Sequence, residues 1–176
     1  NNALSLSHLD TKDEEQLLPE RIGFQSKSVQ FGMNLPLKQP FEVSKSLQFH
    51  NVNNEESARL WSNAFQQSFR YTISPQTIVR TLQEIPYSLV YHNNDLVGTV
   101  ILYQTGQVAG IHSLGVIPEM RRKGYAREIM HYVLSQAIKN GAELTVLQAS
   151  KMAKPLYEKM GFSLDFMMRN YRLKTQ

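Results

Sequence analysis

The chain contains no cysteine in 176 residues. That absence excludes a disulfide scaffold, a thiolate metal site and a cysteine nucleophile together, and it suits a reducing compartment. No apolar run approaches the ~18 residues of a spanning helix, and no signal-peptide pattern precedes the first polar residues. A cytoplasmic protein with no membrane partner is the expectation. The formal charge is +4, but lysine and arginine are dispersed, with no cationic block and no basic helix face, so no nucleic-acid partner is expected. His8, His50, His92 and His131 show no metal-ligand spacing, and no metal is expected. The glycine patterns of a phosphate-binding P-loop and of a dinucleotide fold are both missing. "GIHSLG" falls short of the hydrolase elbow because Ile111 stands where a glycine is required.

What is present is enough for a core: 41% hydrophobic and 10% aromatic residues in a length that fits one domain, or one domain and a small annex. Residues 1–20 are polar and charged, and read as solvated helix or loose tail. "SLQFHNV" (46–52) reads as a strand. Glu55 to Phe69 follows as a helix, with Ala58, Trp61, Ala64, Phe65 and Phe69 on one face behind an Asn53 or Asn54 cap. Ser74-Pro75 opens another helix. "PYSLVYH", "LVGTVILYQ" and "VAGIHSLGVIP" are joined by short Asn/Asp/Gly turns, as in an antiparallel meander. After these come a helix, the strand "ELTVLQA", a helix through "MAKPLYEKM", and a last strand or pair in "FSLDFMMRNYRLKT". Pro155 restricts that final helix to a start around Lys151 to Lys154. The order is β-α-α-β-β-β-α-β-α-β.

The helix after the meander is secure, since Ala126, Ile129, Met130, Val133, Leu134, Ala137 and Ile138 make one apolar stripe that Asn140-Gly141 ends. Its start is unusual: "RRKGYA" puts Arg121, Arg122 and Lys123 at the end that already carries partial positive charge and unpaired N–H groups. Each cation costs a few tenths of a kcal/mol there unless an anion sits nearby. A strand leading through a glycine into a helix start is a general way to hold phosphate, with Gly124 letting the backbone approach closely.

At these residues the chain resembles the GNAT acetyltransferase superfamily. "VIPEMRRKGYA" is similar to that family's acyl-CoA signature, through Val116, Pro118, Arg121, Gly124 and Ala126. Downstream, "SKMAKPLYEKMGF" is similar to a second signature through Ser150, Ala153, Tyr157, Gly161 and Phe162. The resemblance covers about residues 46–174 and the element order agrees with it. It implies an α/β (α+β) fold: a mixed, mostly antiparallel sheet splayed at the fourth strand, with helices on both faces. It also implies acetyl-CoA as acyl donor and an N-acetyltransferase in which a primary amine attacks the thioester directly in a ternary complex.

Carried over by position, the resemblance assigns the pyrophosphate to the N–H groups from Arg122 through Tyr125 to Ala126, with charge from Arg121, Arg122, Lys123 and Arg127. Leu114 and Val116 would bind pantetheine through main chain. Ser150 stands where the family usually has asparagine, and its hydroxyl is shorter. Tyr157 matches the usual general acid, and a phenol can protonate the departing CoA thiolate. A protonated amine needs a base; His112 titrates in the useful range and is the candidate, although the family's frequent acidic residue is absent and a histidine there serves equally as a pocket wall. The alternative is a non-catalytic acyl-CoA-binding or regulatory module on the same fold. Segments 65–74 and 166–171, aromatic and Met-containing with Arg70 and Arg169, favour an acceptor, small molecule or peptide, bearing an apolar or carboxylate part. A homodimer is compatible with all of this.

One pattern lies outside those signatures. "LPERIGFQSKSVQFGMNLPL" (18–37) echoes "YEKMGFSLDFMMRNYRL" (157–173), with Gly23-Phe24 parallel to Gly161-Phe162. The expectation is an N-terminal segment, 1–45, that is the remnant of a second acetyltransferase-like lobe, beside an acetyltransferase domain at 46–176. Such a remnant has no cationic signature and would not bind CoA itself.

Overall fold

The computed structural model describes residues 4–10 and 22–174. Among them are eight strands, mostly antiparallel, and four α-helices: β1 Ser5–Asp10, β2 Phe24–Pro36, β3 Gln48–Asn51, α1 Glu55–Phe69, α2 Pro75–Thr81, β4 Tyr87–His92, β5 Asp95–Thr105, β6 Val108–Val116, α3 Tyr125–Lys139, β7 Leu144–Ser150, α4 Lys154–Lys159 and β8 Ser163–Leu173. From residue 46 onward this is the order that the hydrophobic periodicity gives. Two compact units result, residues 36–145 and residues 1–35 with 146–176.

In the 36–145 unit, β3, β4, β5 and β6 pair in sequence as an antiparallel meander. The start of β7 runs alongside the start of β6: Leu144 N–H donates to Gln107 O at 3.2 Å and the Thr145 hydroxyl to Ala109 O at 2.9 Å. Adjacent residues of β5 point to opposite faces. Ile101 packs with Trp61, Phe65, Ala58, Tyr87 and Leu89 under α1, whereas Leu102 packs with Ala109 and Ala137 under α3. The helices therefore cover the two faces of the meander. Trp61 is fully buried, stacked on Phe65 at 5.0 Å and edge-on to Tyr87 at 4.9 Å.

Helix starts follow local chemistry. Asn54 caps α1 by accepting from Ser57 N–H at 2.8 Å, and the Ser57 hydroxyl accepts in return from Asn54 N–H. Ser74 caps α2, with Pro75 in the first turn. Helix α4 begins at Lys154, inside the range that Pro155 allows.

The other unit has the strand order β1-β8-β2-β7. Residues 5–10 are not loose tail: Ser5 to Asp10 pair antiparallel with Arg172 to Met167. The polar alternation of "SLSHLD" suits a half-exposed strand as well as a tail, and only a partner distant in sequence decides between them.

The seam between β2 and β8 is two-fold symmetric about the pair Gln30↔Met168. Val29↔Arg169 has its image in Phe31↔Met167, Ser28↔Asn170 in Gly32↔Phe166, Ser26↔Tyr171 in Met33↔Leu164, and Gln25↔Arg172 in Asn34↔Ser163. Register shifts fall symmetrically too, leaving Lys27 as the extra residue on β2 and Asp165 on β8. The sequence interval from Lys27 to Asp165 is the interval from Gly23 to Gly161, and those glycines enter their strands with φ of 93° and 92°. Each is followed by a buried phenylalanine, Phe24 and Phe162. The portion of the sequence echo at residues 18–21 lies outside the described residues.

Candidate functional site

Strand β6 reaches the cationic loop through a bulge. Thr99 pairs with Gly115 and Ile101 with His112, so Ser113 and Leu114 together oppose Val100. Ser113 takes φ 51°, in the left-handed region, and its carbonyl accepts from the fully buried Thr99 hydroxyl at 2.8 Å. A bulge turns main-chain groups out of the ladder. Leu114 and Val116, the expected pantetheine-binding positions, lie in and just after it.

Beyond Val116 a turn of 3-10 helix, Pro118–Met120, leads into the loop. Arg122 and Gly124 both adopt left-handed conformations, φ 62° and 84°, which curls the backbone into a concave run of N–H groups. The first backbone bonds of α3 run from Arg127 N–H and Glu128 N–H to Gly124 O, so the N–H groups from Arg122 to Ala126 precede the helical ladder. Arg122, Lys123 and Arg127 are exposed around them, while Tyr125 is buried. Arg121 behaves differently from its neighbours. Its guanidinium folds back, donating from Nε to Val116 O at 3.0 Å and from Nη2 to Ser68 O at 3.1 Å. It ties the loop to the ends of β6 and α1, which orders the loop that its charge also flanks.

A second support was not visible in the sequence. Residues 41–45 run along α3 toward its N-terminus, gaining about one helical turn with each contact. The Ser135 hydroxyl accepts from Phe41 N–H at 2.9 Å, and His131 Nδ1 donates to Glu42 O at 2.6 Å. The Glu128 carboxylate then accepts from Ser44 N–H at 2.8 Å, the Ser44 hydroxyl at 2.7 Å and Lys45 N–H at 3.1 Å. Glu128 is 7% exposed. Burial pushes its pKa up, but the bonds from Ser44 and Lys45 and the neighbouring His131 outweigh this and hold it below the ordinary glutamate value. The strap brings Lys45 to the loop: its Nζ stands over the Tyr125 ring, and its Cε is the nearest atom a side chain at Gly124 would meet, at 3.9 Å. The Tyr125 hydroxyl in turn bonds His92 Nδ1 at 3.0 Å. Glu128, His131 and Ser135 lie on the face of α3 opposite its apolar stripe, a polar face in the sequence, so nothing in the helical pattern signals that a strap covers it.

His112 lies on β6 next to the bulge, with its Nε2 against Gly110. It is accessible to solvent, yet partial desolvation lowers its pKa below 6.5 and favours the neutral imidazole. Arg70 ends α1 in a left-handed conformation, its N–H donating to Gln66 O, beside the Phe65, Phe69 and Tyr71 cluster.

Two expected site residues belong to the other unit. Ser150 ends β7, and its hydroxyl accepts from Ala153 N–H at 3.2 Å, closing the turn before α4. Tyr157 lies on α4, 7% exposed and tilted against Phe162 at 5.6 Å. Burial pushes its phenol up to about 12, so it holds its proton at any physiological pH. Among the described residues no cluster of metal-ligating side chains forms, and no helix is long and apolar enough to cross a membrane.

A bulged strand delivering its chain through left-handed loop residues to a cation-flanked helix start, on an antiparallel meander covered by helices, defines the class: an α/β protein with a concave run of main-chain N–H groups ahead of its central helix. Residues 49–162 match the Acetyltransferase (GNAT) family, and the chain belongs to that family. No curated protein matches it in sequence. Among solved structures it is similar to a GCN5-related N-acetyltransferase from Sphaerobacter thermophilus (TM-score 0.76, 19% identity, 97% of this chain and 59% of that one). A GCN5-related N-acetyltransferase from Kribbella flavida gives a TM-score of 0.70 at 15% identity, over 99% of this chain and 69% of that one. The ribosomal-protein-S18-alanine N-acetyltransferase of Escherichia coli gives 0.59 at 15% identity, over 74% and 96%. At these identities the likeness is one of fold. The chain spans 59% of the length of the Sphaerobacter protein.

Proposed function

We propose that the protein is an acetyl-CoA-dependent N-acetyltransferase. The observation that carries this reading is the entrance to α3, where left-handed Arg122 and Gly124 curl the backbone ahead of the first helical bonds and exposed cations surround it. A CoA pyrophosphate supplies the anion this arrangement lacks. In the reaction, the neutral amine attacks the thioester carbonyl. A C–N bond forms, the C–S bond breaks, and the electron pair leaves with sulfur. Tyr157, kept protonated by burial, gives its proton to the thiolate, and the amine proton passes to His112 directly or through water. A main-chain N–H freed by the β6 bulge is the donor for the tetrahedral oxyanion. The acceptor is a primary amine, on a small molecule or a peptide, with an apolar or carboxylate-bearing part. This matches the aromatic surroundings of Arg70.

Calorimetric titration with acetyl-CoA, alongside Gly124→Glu, tests the reading. Binding by the natural protein and none by the folded variant is the expected result, followed by free-thiol release in an amine screen. CoA binding without turnover of any amine would favour a non-catalytic acyl-CoA-binding module. No CoA binding by the natural protein would sink both.

A further inference from the structure

The symmetry of the β2–β8 seam extends to its flanks. In the order β1-β8-β2-β7, exchanging β2 with β8 exchanges β1 with β7. Thus β1 stands to β8 as β7 stands to β2. Their surroundings nevertheless differ. The far side of β7 is lined at its start by β6, running parallel to it, and the chain reaches β7 from β6 by way of α3. The far side of β1 has no strand among the described residues. It is also conspicuously apolar for an edge: Leu4, Leu6 and Leu9 are 62%, 37% and 54% exposed. Edge strands are usually protected by lysine, proline or a bulge; β1, "SLSHLD", has none of these, carries an acidic residue only at its last position, Asp10, and pairs with β8 without a register shift.

We propose that the outer edge of β1 takes a parallel strand from a second acetyltransferase-type lobe, in the place that β6 takes beside β7. A parallel neighbour needs a crossover connection, as α3 provides between β6 and β7. The symmetric arrangement therefore has that strand and its crossover helix on the same polypeptide, leading into β1. Strands β1 and β2 are then the closing strands of the second lobe, as β7 and β8 are of this one. Each lobe lends its last strand to the other, so that β2 lies between β8 and β7 while β8 lies between β1 and β2. The exchange explains why the seam is symmetric down to its bulges, which chance pairing of unrelated strands would not produce. Independent of the seam, the exposed leucines have a role: Leu4 and Leu6 on one face of the sheet and Leu9 on the other are covered by the helices of a lobe that β1 helps to close.

The test is made on the natural polypeptide, recovered from its source with an antibody raised to residues 146–176. Its intact mass is compared with the 20.2 kDa of this chain. Hydrogen exchange is then followed at the alternate β1 amides that point away from β8, in the natural polypeptide and in the 176-residue chain. The expected result is a larger mass and at least about tenfold slower exchange at those amides in the larger molecule. A natural polypeptide of 20.2 kDa overturns the proposal, and so does a larger one in which those amides exchange no more slowly.

Discussion

The Lys45 ammonium stands 5.3 Å from the centre of the Tyr125 ring, at the first residue of α3. A cation held by a strap therefore joins those that the sequence itself sets at the helix start. Lys45→Gln should weaken acetyl-CoA binding by about fivefold at low salt and by much less at 1 M, because the contribution is a partly exposed charge within reach of screening ions. Calorimetry at the two ionic strengths reads this directly. Equal affinities for both proteins at low salt would show that Lys45 only packs.

Glu128 anchors that strap through three bonds to Ser44 and Lys45. Glu128→Ala leaves those donors without their charged acceptor and should cost about 2–4 kcal/mol in denaturant unfolding. Ser135→Ala, which loosens the strap at Phe41, should cost about 1 kcal/mol.

The same carboxylate sets a pH dependence. Its pKa is lowered in the folded protein, so its stabilisation is complete above the unfolded glutamate value, about 4.3, and is lost as pH falls through the lower folded value. An NMR titration should show the Ser44 and Lys45 amide shifts flat at neutral pH and moving with a midpoint below the ordinary glutamate value, about 4.3. Movement centred at or above 5 would mean that the carboxylate is not bound as described.

Tyr157→Phe should lower kcat by about 10²- to 10⁴-fold with acetyl-CoA affinity unchanged. Because the phenol titrates at about 12, the pH–rate profile should show no descending limb from it below pH 10. The ascending limb belongs to the base. If that base is His112, whose pKa partial desolvation lowers, the limb lies below the ordinary histidine range, and His112→Ala removes the limb as well as the rate.

Trp61 is the only tryptophan and is 0% exposed between Phe65 and Tyr87. Trp61→Phe should cost about 1–3 kcal/mol and Trp61→Ala about 3–5 kcal/mol, measured by circular dichroism because the variants lose the fluorophore.

What could be read from the sequence was the part determined by near neighbours. Asn54, Ser74 and Pro75 act within one turn of their own helices, and the apolar stripe of α3 is a local periodicity, so α1, α2 and α3 were legible. The loop at Arg121 to Ala126 was legible because its cations contradict the helix dipole. Lys45 was not, since the Glu128 carboxylate that holds it lies 83 residues away in sequence. Nor was the double duty of Arg121, whose second acceptor, Ser68 O, is 53 residues distant. Strand β1 was misread for the same reason: its partner, β8, is at the other end of the sequence, and six residues of mixed polarity have no period strong enough to announce themselves.

The symmetric seam also sets a timetable for synthesis. A ribosome makes β1 and β2 early and β8 only after α4, so the unit they share cannot close while residues 36–145 are being made and folded. At typical elongation rates the two early strands wait on the order of ten seconds. Through that interval β2 is without β8, and Phe24 and Met33, buried in the finished unit, are open to any other nascent chain with a free strand, which makes β2 a client for a chaperone.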